Sequence, residues 1–370
     1  MVITVKKSTS KITLSDIARE ANVGVATVDR VLNKRAAVKE STAYRVLEAA
    51  RRLGFTLEQP HYRLAAGKAP VTVRMGFILL QETHSFYLPL ARALAREAAP
   101  WLPAGETPAI LHFAIDAVEA MAQAIHRLSD EVEVLGLVAL DHPLIRHAVG
   151  RAAARGVRVF TLLSDLSVPQ RSGYIGLDNQ KAGRTAAWFI DRLCRGEGEI
   201  AIIIGDNRFT CQESCEISFR SCLREQGKGQ QILEPVRSHE RADVARSVTE
   251  KLLSQYPALQ AIYAPCGGVE GIVGALRDSG RQQAVTLVCH GPLSGSELAL
   301  IDGTIDVILN HRLDDLAAAT LRAMTEAVSR PPSDVISHPQ PFDIITKKIC
   351  KRSPRRQRGC LTPEPRLASF

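Results

Sequence analysis

Residues 11–33 read KITLSDIAREANVGVATVDRVLN, and this stretch sets the organisation of the chain. It divides into two short helices around a tight turn. Leu14 to Ala21 forms the first, with the Thr13 hydroxyl placed to cap its free backbone amides. Ile17, Ala18 and Ala21 recur at three- and four-residue spacing, the period of one helical face. Asn22-Val23-Gly24 makes the turn, because asparagine tolerates a left-handed backbone and Gly24 lets the chain restart. The second helix, Val25 to Leu32, turns Val28, Val31 and Leu32 inward. Val25, Ala26, Asp29 and Arg30 remain on its outer face. A third helical stretch, Lys39 to Leu53, ends at Gly54.

The run DIAREANVGVATVDRVLN resembles the DNA-binding head of the lac repressor (LacI/GalR) family, whose typical pattern is DIAxxAGVSxxTVSRVLN. Three helices in the family's order carry the resemblance. It implies a helix-turn-helix whose second helix enters the major groove. The DNA-contacting set is then Thr13, Val25, Ala26, Thr27, Asp29, Arg30, Asn33 and Lys34, with Leu64 in the connector. Val25, Ala26 and Arg30 are expected to read base edges, Arg30 as the specific donor to guanine. Thr27, Asn33 and Lys34 are expected on phosphate. Asp29 stands where the family usually has serine; a carboxylate there is read as holding Arg30 or accepting from a cytosine amine. The alternative is a plain helical hairpin packed on its own domain.

Charge supports the first reading. Residues 1–68 hold 13 Lys+Arg against 6 Asp+Glu, and residues 347–370 hold 8 against 1. The remaining 26 basic and 32 acidic residues leave the middle acidic, so the basic excess lies at the two ends. This suggests a head at 11–56, a hinge at 57–71, a ligand-binding and dimerisation domain at 72–346, and a basic, disordered tail at 347–370. The tail is alternatively a non-specific DNA-binding extension. In the family the hinge becomes a short helix whose leucine wedges into the minor groove, and Leu64 is the matching leucine. Glu58-Gln59-Pro60-His61 departs from the usual hinge pattern, so Leu64 is alternatively a linker residue.

Other classes are disfavoured. No apolar run approaches the ~20 residues of a membrane span. MVITVKKSTSK lacks the apolar core of a signal peptide, so a cytoplasmic location is expected. The eight cysteines are then expected as thiols, and no CxxC pair or Cys/His spacing suggests a metal. CGGVEGIVGAL, with Gly267, Gly268, Gly271 and Gly274, is neither a P-loop nor a complete dinucleotide fingerprint; close backbone packing explains it. No nucleophile elbow, HExxH or kinase set occurs, so neither catalysis nor a cofactor is expected.

From Val73 the pattern alternates between apolar runs and helical stretches. Expected strands are Arg74–Leu80, Ala109–Phe113, Val134–Leu140, Arg158–Leu163, Tyr174–Leu177, Glu199–Ile204, Ala261–Tyr263, Thr286–Cys289 and Asp306–Leu309. Helices such as Tyr87–Ala99, Val118–Leu128, Leu144–Arg155 and Lys181–Leu193 separate them. The alternation predicts an α/β fold with parallel sheets covered by helices. The family resemblance extends this to two Rossmann-like subdomains of the periplasmic-binding-protein type I kind, with an effector between them.

Ligands bind beyond the carboxyl ends of strands in such sheets. The expected effector-binding residues are accordingly Phe86, Tyr87, Asp141, Asp165, Asp178, Cys215, His290 and His311. Phe86 and Tyr87 match an aromatic pair that stacks on a sugar ring in the family, although such a pair can equally be core. Asp141, Ser164-Asp165 and Asp178-Asn179 either bind hydroxyls or cap helices. Cys215 occupies the position of the family's clamping arginine, and Ala264-Pro265-Cys266 replaces an often-present asparagine. Arg208 or Arg220 is the candidate to compensate. His290 and His311 match positions that are often polar and ligand-facing.

The reading is a DNA-binding transcriptional regulator, a repressor by preference. It binds a double-stranded operator as a homodimer, with assembly to a tetramer left open, and a sugar or polyol controls it. A regulator without a sugar effector and a solute-binding module are the alternatives.

Overall fold

Asn22 makes the tight turn at the head by adopting φ 50° and ψ 53°, and its amide closes the first helix onto Ala18 and Arg19. That helix, α1 (Leu14–Ala21), starts with a reciprocal cap. The Asp16 amide donates to Thr13 Oγ1 at 3.3 Å, and the Thr13 amide donates to Asp16 Oδ2 at 2.9 Å. Helix α2 (Val25–Leu32) follows. Ile17, Ala18, Ala21 and Val28 form a small core with Val46, Ala49 and Ala50, three residues of the expected third helix.

The structure, a computed structural model, describes residues 13–32, six positions between 38 and 50, and 72–348 except 82–85, 104, 195–197, 228–229, 294 and 332–334. Asn33, Lys34, the hinge with Leu64, and the tail beyond 348 lie outside the described residues. The chain divides into two units, at 1–71 and 72–370, each considered by itself.

The larger unit contains two sheets. One holds β1 (Met75–Leu80), β2 (Ala109–Phe113), β3 (Val134–Leu137), β4 (Arg158–Leu162), β5 (Gly173–Leu177) and β12 (Ile336–Gln340), in the order β12-β5-β4-β3-β1-β2. All its pairings are parallel. The second is ordered β13-β11-β10-β9-β6-β7, and β8 also pairs with β6. Its strands are β6 (Glu199–Ile204), β7 (Gln231–Ile232), β8 (Val236–Arg237), β9 (Ala261–Ala264), β10 (Thr286–Gly291), β11 (Val307–His311) and β13 (Phe342–Ile345). Only β13 runs antiparallel, against β11.

Helices close each sheet into its own lobe. In the first, α3 (Tyr87–Ala98), α4 (Val118–Leu128) and α5 (Pro143–Ala154) contribute to a core around Phe77, Leu90 and Phe160. The second contains α6 (Asn179–Leu193), α7 (Thr210–Gln226), α8 (Ala242–Gln255), α9 (Val269–Asp278) and α10 (Ser296–Ile301). The chain passes between lobes three times: from β5 through α6 to β6, from β11 through α11 (Leu313–Val328) to β12, and across Pro341. Helix α11 belongs to the first core through Leu316, Leu321 and Met324.

Several element limits differ from expectation for identifiable reasons. The apolar run to Leu140 outlasts its strand, which ends at Leu137, because Val138, Ala139 and Leu140 stay buried as they leave the ladder. Strand β10 runs past Cys289 to Gly291, and β11 runs past Leu309 to His311. His290 and His311 are therefore strand residues rather than loop residues. Strands β12 and β13 are new, because His338, Pro339 and largely exposed neighbours carry no apolar alternation.

Helices α6 and α7 meet at Gly183, where an added Cβ would collide with Ser218 Oγ and the Cys215 carbonyl. Neither can retreat easily, because the Ser218 hydroxyl already donates to the Ser214 carbonyl at 2.7 Å. Gly183→Ala is expected to destabilise the protein by about 1–3 kcal/mol, the range for overpacking a filled interior. Urea denaturation of the full chain reads this as a lowered midpoint; an unchanged midpoint refutes the close approach.

Candidate functional site

Parallel strands carry their carboxyl ends to one side of each sheet, and there the lobes enclose a cavity of about 690 Å³. The first lobe supplies Gln81, Phe86, Tyr87 and Leu163, and Asn179 enters from the first crossing. The second lobe supplies most of the polar lining.

One wall is a chain of rings. Phe86, half-buried, meets Tyr87 edge-on at 5.3 Å between centroids and His311 at 5.2 Å. The Phe86–His311 contact crosses from one lobe to the other. His290 lies 6.2 Å from His311, and its Nε2 is 3.0 Å from the Tyr263 hydroxyl. Tyr263 in turn stacks on Phe219 at 4.7 Å, which fixes the ring from behind. Burial pushes His290 down to about 3, with His311 adding to the shift, and burial pushes His311 down to about 4. Both imidazoles are neutral at pH 7, each offering one donor and one acceptor.

The opposite wall is an amide and carboxyl network. Buried Glu240 accepts from Gln212 Nε2 at 2.8 Å and from the Gly267 amide at 2.7 Å. Gln212 Oε1 accepts from the Gly205 amide at 2.6 Å. Burial raises the Glu240 carboxyl above its ordinary range, and Asp206 adds to this. Cys211, Cys215 and Cys266 also line the cavity. Cys215 donates to the Asn179 carbonyl at 3.4 Å, and burial pushes all three thiols up, Cys211 to about 12. They are weak nucleophiles. No group of three or more His, Cys, Asp and Glu suited to a metal occurs among the described residues.

Of the effector-binding residues expected from sequence, Phe86, Tyr87, Cys215, His290 and His311 come together in this cavity. Asp141, Asp165 and Asp178 do not. Asp141 accepts from the Ser167 amide at 3.2 Å and pairs with Arg146 at 3.5 Å. Asp165 holds Thr161 and Arg171, while Asp178 caps α6 through the Lys181 amide at 3.1 Å. The last two line a separate cavity of about 740 Å³. Each carboxylate at a strand end was claimed by a nearby donor.

Neither Arg208 nor Arg220 replaces the arginine missing at 215. Arg208 chelates Asp206, and Arg220 holds Glu216 and the Leu233 carbonyl. Among the described residues, the arginine that lines the cavity is Arg241, tied to Asp243. Sequence reasoning missed Gln212, Glu240, Arg241, Asp243 and Glu270. Glu240 follows the two-residue β8, too short to show a period, and its backbone at φ 59° is one no glycine announces. The glycine-rich stretch serves packing: a Cβ on Gly271 would strike the Ala242 carbonyl, and one on Gly267 would strike the Glu240 carboxyl.

In the head, Val25, Ala26 and Arg30 are exposed along α2, whereas Thr27 and Asp29 are half-buried. Val28 anchors the helix from beneath. Thr13 spends its hydroxyl on the α1 cap. No helix among the described residues is long and apolar enough to cross a membrane.

A helix-turn-helix head followed by a two-lobed, cleft-forming unit defines a ligand-binding regulator. Residues 13–57 match the family of bacterial regulatory proteins of the lacI type, and residues 75–330 match the periplasmic binding protein domain. The chain belongs to the lacI family of bacterial regulatory proteins, with a periplasmic-binding-protein domain as its larger unit. The ribose operon repressor of Halalkalibacterium halodurans is 23% identical over 340 residues, 92% of this chain and 97% of that protein. Catabolite control protein A of Priestia megaterium is 41% identical over 83 residues, 22% of this chain. This chain thus spans only 24% of that protein's length. Among solved structures, GanP, a glucose-galactose binding protein from Geobacillus stearothermophilus, shares the fold at a TM-score of 0.66 and 20% identity. That likeness covers 75% of this chain and 98% of GanP. A solute-binding protein from Agrobacterium vitis with bound D-fucose aligns at a TM-score of 0.66 and 15% identity, over 75% and 96%.

The two histidines give a definite pH signature. The unfolded chain takes up each imidazole proton near pH 6.5, the folded chain only near 3 and 4. Stability is therefore full above pH 6.5 and falls as pH drops toward 4, by up to about 1.4 kcal/mol per pH unit for each histidine. Glu240, with its raised value, contributes in the opposite direction. His290→Gln and His311→Gln are expected to flatten the decline in melting temperature between pH 7 and pH 4.5. An undiminished slope in the double variant assigns the effect elsewhere.

Proposed function

We propose that this protein is a transcriptional repressor that binds a two-fold symmetric operator as a homodimer and is controlled by a sugar or polyol in its cleft. The observation that carries the reading is a cavity of small-ligand size, walled by an aromatic ring, neutral imidazoles and amides, in a chain that also bears a helix-turn-helix. Hydroxyl groups suit that lining, since each can donate and accept. Similarity to a ribose operon repressor over nearly its whole length supports the choice of ligand class. Sugar-binding relatives by fold are consistent with it.

On DNA, Arg30 would donate to a guanine edge, and Val25 and Ala26 would contact thymine methyls. Two heads demand two half-sites. The ligand acts by favouring one arrangement of the lobes over another, and it shifts DNA affinity only as far as it discriminates between them. Phe86 against His311 is one contact between the lobes, inside the cleft, that such a ligand would have to replace or reinforce.

Selection from a pool of random duplexes tests the DNA half. The expected product is a pseudo-palindrome. Arg30→Ala is expected to cost about 1–3 kcal/mol and relax preference at one base pair of each half-site. Recovery of no preferred sequence, or of an unsymmetrical one, contradicts the proposal.

A further inference from the structure

We propose, resting on the polyol reading above, that Glu240 sets the charge class of the effector. The cleft takes polyhydroxy ligands that are neutral or carry an amine, and it turns away phosphorylated and carboxylated sugars.

Glu240 is 6% exposed and lines the cavity. Two hydrogen bonds, from Gln212 and Gly267, occupy about half of the ~four lone-pair directions of a carboxylate. No ion pair to Glu240 is found among the described residues, although buried charges are ordinarily paired. Its neighbour Arg241 turns to Asp243, with Nε 3.0 Å from Oδ1. Asp206, the other nearby acid, is held by Arg208.

The local backbone is arranged around this carboxyl. His239 and Glu240 both stand in the left-handed region, at φ 51° and 59°, uncommon for consecutive non-glycine residues. Gly205 and Gly267 leave it room, and a Cβ on either would collide with it. Two strained residues and two glycines thus hold a buried acid without a cation in the cavity wall.

The rest of the lining agrees. Among the described residues its acids are Glu240, Asp243 and Glu270, against Arg241 alone of Lys and Arg. Helices α8 and α9 begin at the cavity, and free helix N-termini attract anions. Here each first turn carries its own acid, Asp243 in α8 and Glu270 in α9. The Gly267 amide, just before α9, is given to Glu240. A phosphate entering this cleft would meet three carboxyl groups and helix ends already answered.

The test is ligand-induced thermal stabilisation of the full chain by matched probes. These are D-ribose and D-ribose 5-phosphate, and D-glucose, D-glucosamine, D-glucose 6-phosphate and D-glucuronate. Neutral or amine-bearing members are expected to raise the melting temperature, with each anionic counterpart binding at least about tenfold more weakly. Glu240→Gln is expected to narrow that gap by about tenfold, and the exposed Asp243→Asn to narrow it in the same direction should the first variant fold poorly. A phosphate or carboxylate member binding wild-type protein as tightly as its neutral parent overturns the charge assignment and leaves the polyol reading standing. If no member shifts the wild-type protein, the polyol reading fails and the assignment falls with it.

Discussion

Parallel strands cannot be joined by tight turns, so each must be followed by a crossover on a sheet face. That constraint carries most of this architecture. It brings the carboxyl ends of β1, β4, β9, β10 and β11 to the cleft, and with them Gln81, Leu163, Cys266, His290 and His311. It also gives each lobe its own packing, one apolar cluster in the first and two in the second. Each sheet is sealed by its own helices, and the lobes are joined by three passages of chain. A cavity between two such lobes is polar at its rim because strand ends leave backbone groups to be satisfied there.

Within the cleft, the decisive feature is how few charges are free to act. Position 215 carries a buried thiol that donates to the Asn179 carbonyl between α6 and α7. The histidines are kept neutral by burial, with Tyr263 and Phe219 fixing His290. Recognition in such a site depends on directional hydrogen bonds and ring contact rather than a guanidinium clamp. Glu240 is the exception, and its surroundings are shaped to keep it in place.

Much of the fold was legible because its signals are local. Thr13, Asn22 and the 17–18–21–28 apolar set read directly as cap, turn and core. The strands 109–113 and 199–204 matched residue for residue, because short apolar runs bounded by polar residues announce a strand, half-buried in the first and buried in the second. Signals failed where packing, rather than pattern, decides the outcome. Strand β12 exists because the second crossing delivers it to the edge of the first sheet, and β13 because the third returns the chain to the edge of the second; His338 and Pro339 advertise nothing of the kind. In the site, strand-end position located His290 and His311, yet the same rule pointed to Asp141, Asp165 and Asp178. Competing donors, from Lys181 three residues after Asp178 to Ser167 in a later loop beside Asp141, are invisible to strand counting and had already taken those carboxylates. Glu240 was missed altogether because a strained loop, not a regular element, carries it into the wall.

The central claim is that the cleft and the DNA-reading helix belong to one switch. The direct measurement is the affinity of the full chain for its selected duplex at fixed salt, with and without a saturating concentration of the sugar that stabilises it. The account predicts a change of about 5–150-fold, with the duplex altering sugar affinity by the same factor. Equal DNA affinity in both states, with the cleft demonstrably occupied, would contradict it.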